Sequence, residues 1–363
     1  MQLVDWDIAT STATRLAPPG PRMELTDAVA TVEELRRAAA EAERHVTAYT
    51  GLPSGGDDGV GIVVVDRPGW IRSNVAGFRD LVDPLLDSVL SSRGKSVGPV
   101  MGTIGPRATG IEVGALLAYL STRVLGQFEL FGPAPTDGVP GGRLTLVAPN
   151  IVAAERGLAV DPADFRLWVC LHEVTHRTQF AAAPWLHEHV RSLLGEYLAA
   201  SDLDPAALLG RLRGAVGSIS DTLRGGSQLS LLEIVQTPEQ KVVLDRVTGL
   251  MSLLEGHADV VMDGVGPSVV PSVDTIRGRF EERRKSGSPL DKAIKRLLGM
   301  DMKMRQYAEG AMFVRTVVAV VGMDGLNRVW SDPELLPTAS EIRDPHLWIA
   351  RTASGAGPAV TAS

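Results

Sequence analysis

The stretch Leu167 to Phe180, "LWVCLHEVTHRTQF", constrains the fold more than any other part of this sequence. Inside an apolar run it sets His172 and His176 four residues apart, with Glu173 directly after the first. On an α-helix, residues i and i+4 share a face, so the two imidazoles project together and can hold one ion. Glu173 lies about 100° round from His172, near enough to reach a ligand on the open side of that ion. Asp161 is a plausible N-cap, Pro162 suits the first helical position, and Asp164 complements the dipole in the first turn. The helix is expected to run past Phe180, with Pro184 marking its end. A hydrogen-bonded pair of core histidines is the plain alternative. Burying two imidazoles and a carboxylate together is costly, however, unless something satisfies them, and a divalent cation does so.

H-E-x-x-H supplies two metal ligands and a general base beside the metal-bound water. Catalytic zinc takes three protein ligands and keeps one position open. Cys170 is the only cysteine, which rules out a Cys-based zinc cluster and an intrachain disulfide. The third ligand does not come from the same segment. The extended pattern H-E-x-x-H-x-x-G-x-x-H needs a glycine and a histidine where this chain has Gln179 and Ala182. His187 and His189 point to different faces and read as a solvated pair near a turn. The better segment is "DRVTGLMSLLEGHADVVMD", Asp245 to Asp263. There Glu255 and Asp259 sit i, i+4 on a face shared with Met251, Ala258 and Met262. Two carboxylates on an apolar face resist burial unless one meets a cation and the other a donor. Glu255 is therefore the candidate third ligand, and Asp259 the candidate acceptor for the N–H of a ligating histidine. Gly256, unfavourable by about 1 kcal/mol inside a helix, is expected where another backbone approaches closely.

An H-E-x-x-H followed by E-x-x-x-D on a later helix resembles the gluzincin arrangement of thermolysin-type metallopeptidases. More closely, four segments resemble the type-2 zincin-like family of actinobacteria and relatives, and best its deazaflavin-coenzyme-biosynthesis-associated branch. They are "VDWDIATSTATRLAPPGP", "LHEVTHRTQF", "MSLLEGHADVVMD" and "KMRQYAEGAMFVRTVVAVVGMDGLNRVW", and they span nearly the whole chain. The resemblance implies a zincin-like metalloprotease fold, with one zinc ion (Zn2+) held by His172, His176 and Glu255 and with Glu173 as base. It implies a metallopeptidase but no particular substrate.

A developing oxyanion needs a donor, and Tyr307 in "KMRQYAEG" is the candidate, with Arg305, His187, His189 and His257 as others. His257 stands about 200° from Glu255 on its helix and is expected to face elsewhere. By analogy with other zincins, "RLTLVAPN" is expected to be an edge strand that pairs with an extended peptide, which makes the substrate a peptide or protein. The competing reading is a non-catalytic zincin-like protein that keeps zinc as a structural or partner-binding module. The two part at Glu173, because a purely structural zinc site prefers a closed fourth position.

Around these segments the sequence predicts a mainly α protein with a small β-sheet, an α+β class. Helical spacing covers 31–50 and 110–127, and nearly everything from 151 to about Val329. "GIVVVD" (61–66) and "RLTLVA" (143–148) read as strands, and the Gly- and Pro-rich runs 51–59, 132–142 and 264–272 as loops. The expected division is a mostly helical region with a short strand at 1–135, a zincin-like metal-binding region at 136–352, and a disordered tail at 353–363. A net charge of −7 and 5% aromatic residues disfavour nucleic acid as a partner. No apolar run reaches the roughly 18 residues of a membrane span, and the first residues lack the pattern of a signal peptide. The expectation is a soluble, cytoplasmic protein with no membrane partner.

Overall fold

A computed structural model describes residues 4–54, 61–93, 101–129, 142–199, 238–285 and 300–354. In chain order the helices are α1 (Trp6–Leu16), α2 (Leu25–Thr50), α3 (Arg67–Arg93), α4 (Met101–Leu120), α5 (Ala148–Leu158) and α6 (Pro162–Ala182). They continue with α7 (Leu186–Ala199), α8 (Pro238–Val269), α9 (Val273–Lys285), α10 (Met300–Asn327), α11 (Ala339–Arg343) and α12 (Pro345–Ser354). Strands β1 (Ile62–Val65), β2 (Gly126–Glu129) and β3 (Arg143–Val147) make one sheet in the order β1-β3-β2. β1 runs parallel to β3, and β2 antiparallel to it. The mainly helical α+β class expected from the periodicity is the class observed.

Three local expectations are corrected. The segment "RLTLV" forms β3 but at the centre of the sheet, paired on both sides, so it offers no free edge to a peptide. The helix expected over 110–127 stops at Leu120, and residues 126–129 become β2, the antiparallel edge strand. The run 264–272 is helical as far as Val269. Tertiary packing overrides its glycines there: Val265 is buried, and a Cβ on Gly264 would stand 2.1 Å from the Tyr49 ring. Strands from both sides of residue 135 share the sheet, and residue 135 itself lies outside the described residues. Residues 353 and 354 belong to α12, while the rest of the expected tail, 355–363, is outside the described residues.

Two of the apolar cores meet along α6 and α8. The first gathers Leu35 and Val46 of α2, Leu144 and Leu146 of β3, Phe165 to Val174 of α6, and Val261 to Val265 of α8. The second takes Phe180 of α6, Leu250 to Val260 of α8, and Phe313, Val314 and Val317 of α10. A third packs α1 against α3 and α4 through Trp6, Ala9, Trp70 and Leu117. α6 and α8 lie antiparallel and are pinned together near both ends of α6. Near the start of α6, Asp164 accepts from the Ser272 backbone N–H just past α8 at 2.9 Å. Near its other end, Gln179 donates to the Leu254 carbonyl at 2.8 Å. The pins are about 22 Å apart along α6, which fixes the helices in register between them.

α8 and α10 cross at two glycines. A Cβ on Gly256 would lie 2.1 Å from the Gly310 carbonyl carbon, and a Cβ on Gly310 would lie 1.9 Å from the Ser252 carbonyl oxygen. This is the close backbone approach expected at Gly256. Among the described residues, no helix is long and apolar enough to cross a membrane.

Candidate metal centre

α6 starts as its sequence predicts. Asp161 is the N-cap and accepts from the Asp164 N–H at 3.0 Å, Pro162 opens the helix, and the last helical residue is Ala182. His172 and His176 therefore sit mid-helix on one face, with ring centroids 4.7 Å apart and planes nearly perpendicular at 86°. Their Nε2 atoms are 3.2 Å apart. Glu255 of α8 brings its Oε2 to 3.6 Å from Nε2 of His172 and 3.7 Å from Nε2 of His176. The three donor atoms all lie within 4.8 Å of one another. A tetrahedral ion with ligands at about 2.0–2.1 Å holds them about 3.3–3.4 Å apart, so two imidazole nitrogens and a carboxylate at these separations fit zinc. The side chains of His176 and Glu255 are 14% and 15% exposed against 32% for His172, so the cluster is reached from the His172 side.

A family model for zincin-like metallopeptidases matches residues 4–349. The chain belongs to that family. The zincin-like match runs across the described fold from the start of α1 into α12 and carries no assignment to the deazaflavin-associated branch. A crystal structure from Chloroflexus aurantiacus, described as "a putative hydrolase with a novel fold", is similar at 32% identity and a TM-score of 0.67. The likeness covers 97% of this chain and 99% of that one. No curated protein matches the chain. Membership in a zincin-like family implies a metal, usually zinc, and the His172–His176–Glu255 cluster is able to hold one.

Glu173 is buried against β2, an edge strand of this zincin-like fold. A Cβ on Gly126 of β2 would lie 2.6 Å from both Cγ and Cδ of Glu173 and 2.9 Å from Oε1, so only glycine leaves room for the carboxylate there. Burial, and second to it the charge of Glu255, push the Glu173 carboxyl up to about 8. A cation between two carboxylates so placed would relieve both.

Asp259 does not play the part expected of it. It contacts Arg277 of α9 at 3.2 Å and Arg315 of α10 at 3.3 Å, and both arginines also hold Asp263 at 2.6 Å. Four residues advance a helix by about 400°, so Asp259 is turned about 40° from Glu255, toward α9 and α10 rather than α6. The group beside the histidine ring is instead Gln179, whose Oε1 is 3.0 Å from Nδ1 of His176. Gln179 is fully buried and also contacts Nδ1 of His257 at 3.0 Å through Nε2. His257 is not turned elsewhere as its helical angle suggested: its Nδ1 meets the Gln179 amide of α6, which also contacts His176. Burial, with His176 second, holds its imidazole down at about 3, so it is neutral. Tyr307 lies on α10, and its side chain is outside the described residues. His187 and His189 are half-buried, and their rings meet Phe180 and Trp185. Sequence reasoning did not find Gln179 or Gly126. Gln179 had a signal, a polar side chain one turn past His176 in an apolar helix, whereas Gly126 had none without the sheet.

Proposed function

We propose that the protein is a zinc-dependent hydrolase that cleaves peptide bonds, with His172, His176 and Glu255 as the metal ligands and Glu173 as the general base. The observation that carries this reading is the convergence of three donor atoms within 4.8 Å beside a carboxylate whose pKa is raised by burial and by the charge of Glu255. A zinc ion in that cluster supplies a Lewis acid for a carbonyl and lowers the pKa of water toward about 7. Glu173, held against β2, takes the proton of the attacking water on its carboxylate and returns it to the leaving amine. Tyr307 is proposed as the donor to the oxyanion. β2 supports a peptide as substrate: it is an edge strand of the sheet and carries Gly126 directly against Glu173, so an extended chain added there would pass the base.

The test pairs metal analysis with digestion of a peptide library followed by mass spectrometry. Zinc-loaded protein is expected to cut, and Glu173→Gln to keep its zinc while losing cleavage by at least about 100-fold. Zinc bound without any cleavage by the unaltered protein would leave a structural or partner-binding zinc module.

A further inference from the structure

The orientation of the Gln179 amide follows from its neighbours. The Leu254 carbonyl, 2.8 Å away, only accepts, so the nitrogen of the amide must face it. Oε1 is thereby turned to Nδ1 of His176 at 3.0 Å. An amide oxygen only accepts, so Nδ1 of His176 carries the ring proton. The lone pair is left on Nε2, the atom 3.2 Å from Nε2 of His172 and 3.7 Å from Glu255. The second N–H of Gln179 meets Nδ1 of His257 at 3.0 Å, and that nitrogen must accept. Flipping the amide would set oxygen against the Leu254 carbonyl, a clash of two acceptors that no histidine tautomer can repair. Because Leu254 directly precedes Glu255, the same amide also ties α6 to the backbone beside the third ligand.

We propose that Gln179, oriented by the Leu254 carbonyl and by His257, is a positioning residue that locks His176 in its Nδ1–H tautomer with Nε2 toward Glu255, and so sets the affinity of the site for its cation. His257 then serves the metal centre without ligating. The inference rests on the metal reading above, and its test separates the two. Nitrogen-15 NMR of the metal-free full chain reads the His176 tautomer directly, and chelator competition reads zinc affinity. The unaltered protein is expected to show His176 protonated on Nδ1. Gln179→Leu is expected to show mixed tautomers and to bind zinc about 10–100-fold more weakly while remaining folded by circular dichroism. His257→Phe, which leaves the Leu254 carbonyl in place, is expected to keep the tautomer and lose less affinity than Gln179→Leu. A purely structural role would lower the melting temperature of Gln179→Leu without moving either readout. His176 protonated on Nε2 in the unaltered protein, or a folded Gln179→Leu with zinc affinity within about twofold, overturns the proposal. If the unaltered protein binds no zinc, the metal reading fails, and the tautomer alone then upholds or overturns the role of Gln179. If Gln179→Leu does not fold, the tautomer of the unaltered protein and the zinc affinity of His257→Phe decide the matter.

Discussion

At Gly126 the absence of one carbon decides whether Glu173 can lie against the edge strand. Gly126→Ala would set a methyl 2.6 Å from the Glu173 side chain, and the carboxylate, as the more flexible partner, must move. Zinc binding is expected to persist while peptide turnover falls at least about tenfold, since misplacement by roughly 1 Å costs that much or more. Metal analysis beside a cleavage assay checks both halves. Glu173 also makes a pH prediction for the metal-free protein. Its folded pKa is raised from 4.5 to about 8, so the native state holds a proton that the unfolded chain gives up. Stability from this group is complete below pH 4.5 and is lost as pH rises toward 8, at up to about 1.4 kcal/mol per unit. Urea titrations across that window should show the decline, and Glu173→Gln should flatten it. The three residues of the donor cluster were legible at this scale because H-E-x-x-H and a carboxylate on an apolar helical face are local patterns. Gly126 was not, because its meaning lies in a contact across 47 residues of chain.

Among the elements, the crossing of α8 and α10 is the tightest constraint on where Glu255 points. Gly310→Ala would force a methyl against the Ser252 carbonyl, one turn before Glu255, and is expected to destabilise the fold by about 1–3 kcal/mol or more. Gly278→Ala on α9, with nothing within 4 Å of the new Cβ and no strained backbone angle, is the control and should stabilise by about 0.5–1 kcal/mol. Thermal melts of the two variants should move in opposite directions. The need for a close approach at Gly256 could be read from a glycine inside a helical pattern, but the identity of the approaching backbone could not. β2 escaped for a related reason. Four residues after a long helix carry little periodicity, and Gly126–Glu129 become a strand through pairing with β3.

For the molecule as a whole, α6 and α8 are shared by two apolar cores and pinned together at Asp164–Ser272 and Gln179–Leu254, with the donor cluster between. A cation held there would bridge the helices that join the cores, so its binding is coupled to global stability. Zinc at about a thousandfold over its dissociation constant should add about 4 kcal/mol, read as a rise in melting temperature that a chelator reverses. The α+β class and the helices carrying the site were legible from 3.6-residue spacing, caps and breakers. The strand order was not, since it depends on which distant segments pair. For Asp259 the i, i+4 pattern identified the face of α8 but not that Arg277 and Arg315 would claim it.

The central claim is that His172, His176 and Glu255 hold one zinc ion with Glu173 beside it. Anomalous diffraction at the zinc edge from zinc-loaded crystals tests it most directly. The predicted result is a single strong peak about 2.0–2.2 Å from Nε2 of both histidines and from the Glu255 carboxylate. A peak elsewhere, or one at the histidines with the Glu255 carboxylate turned away, would contradict it.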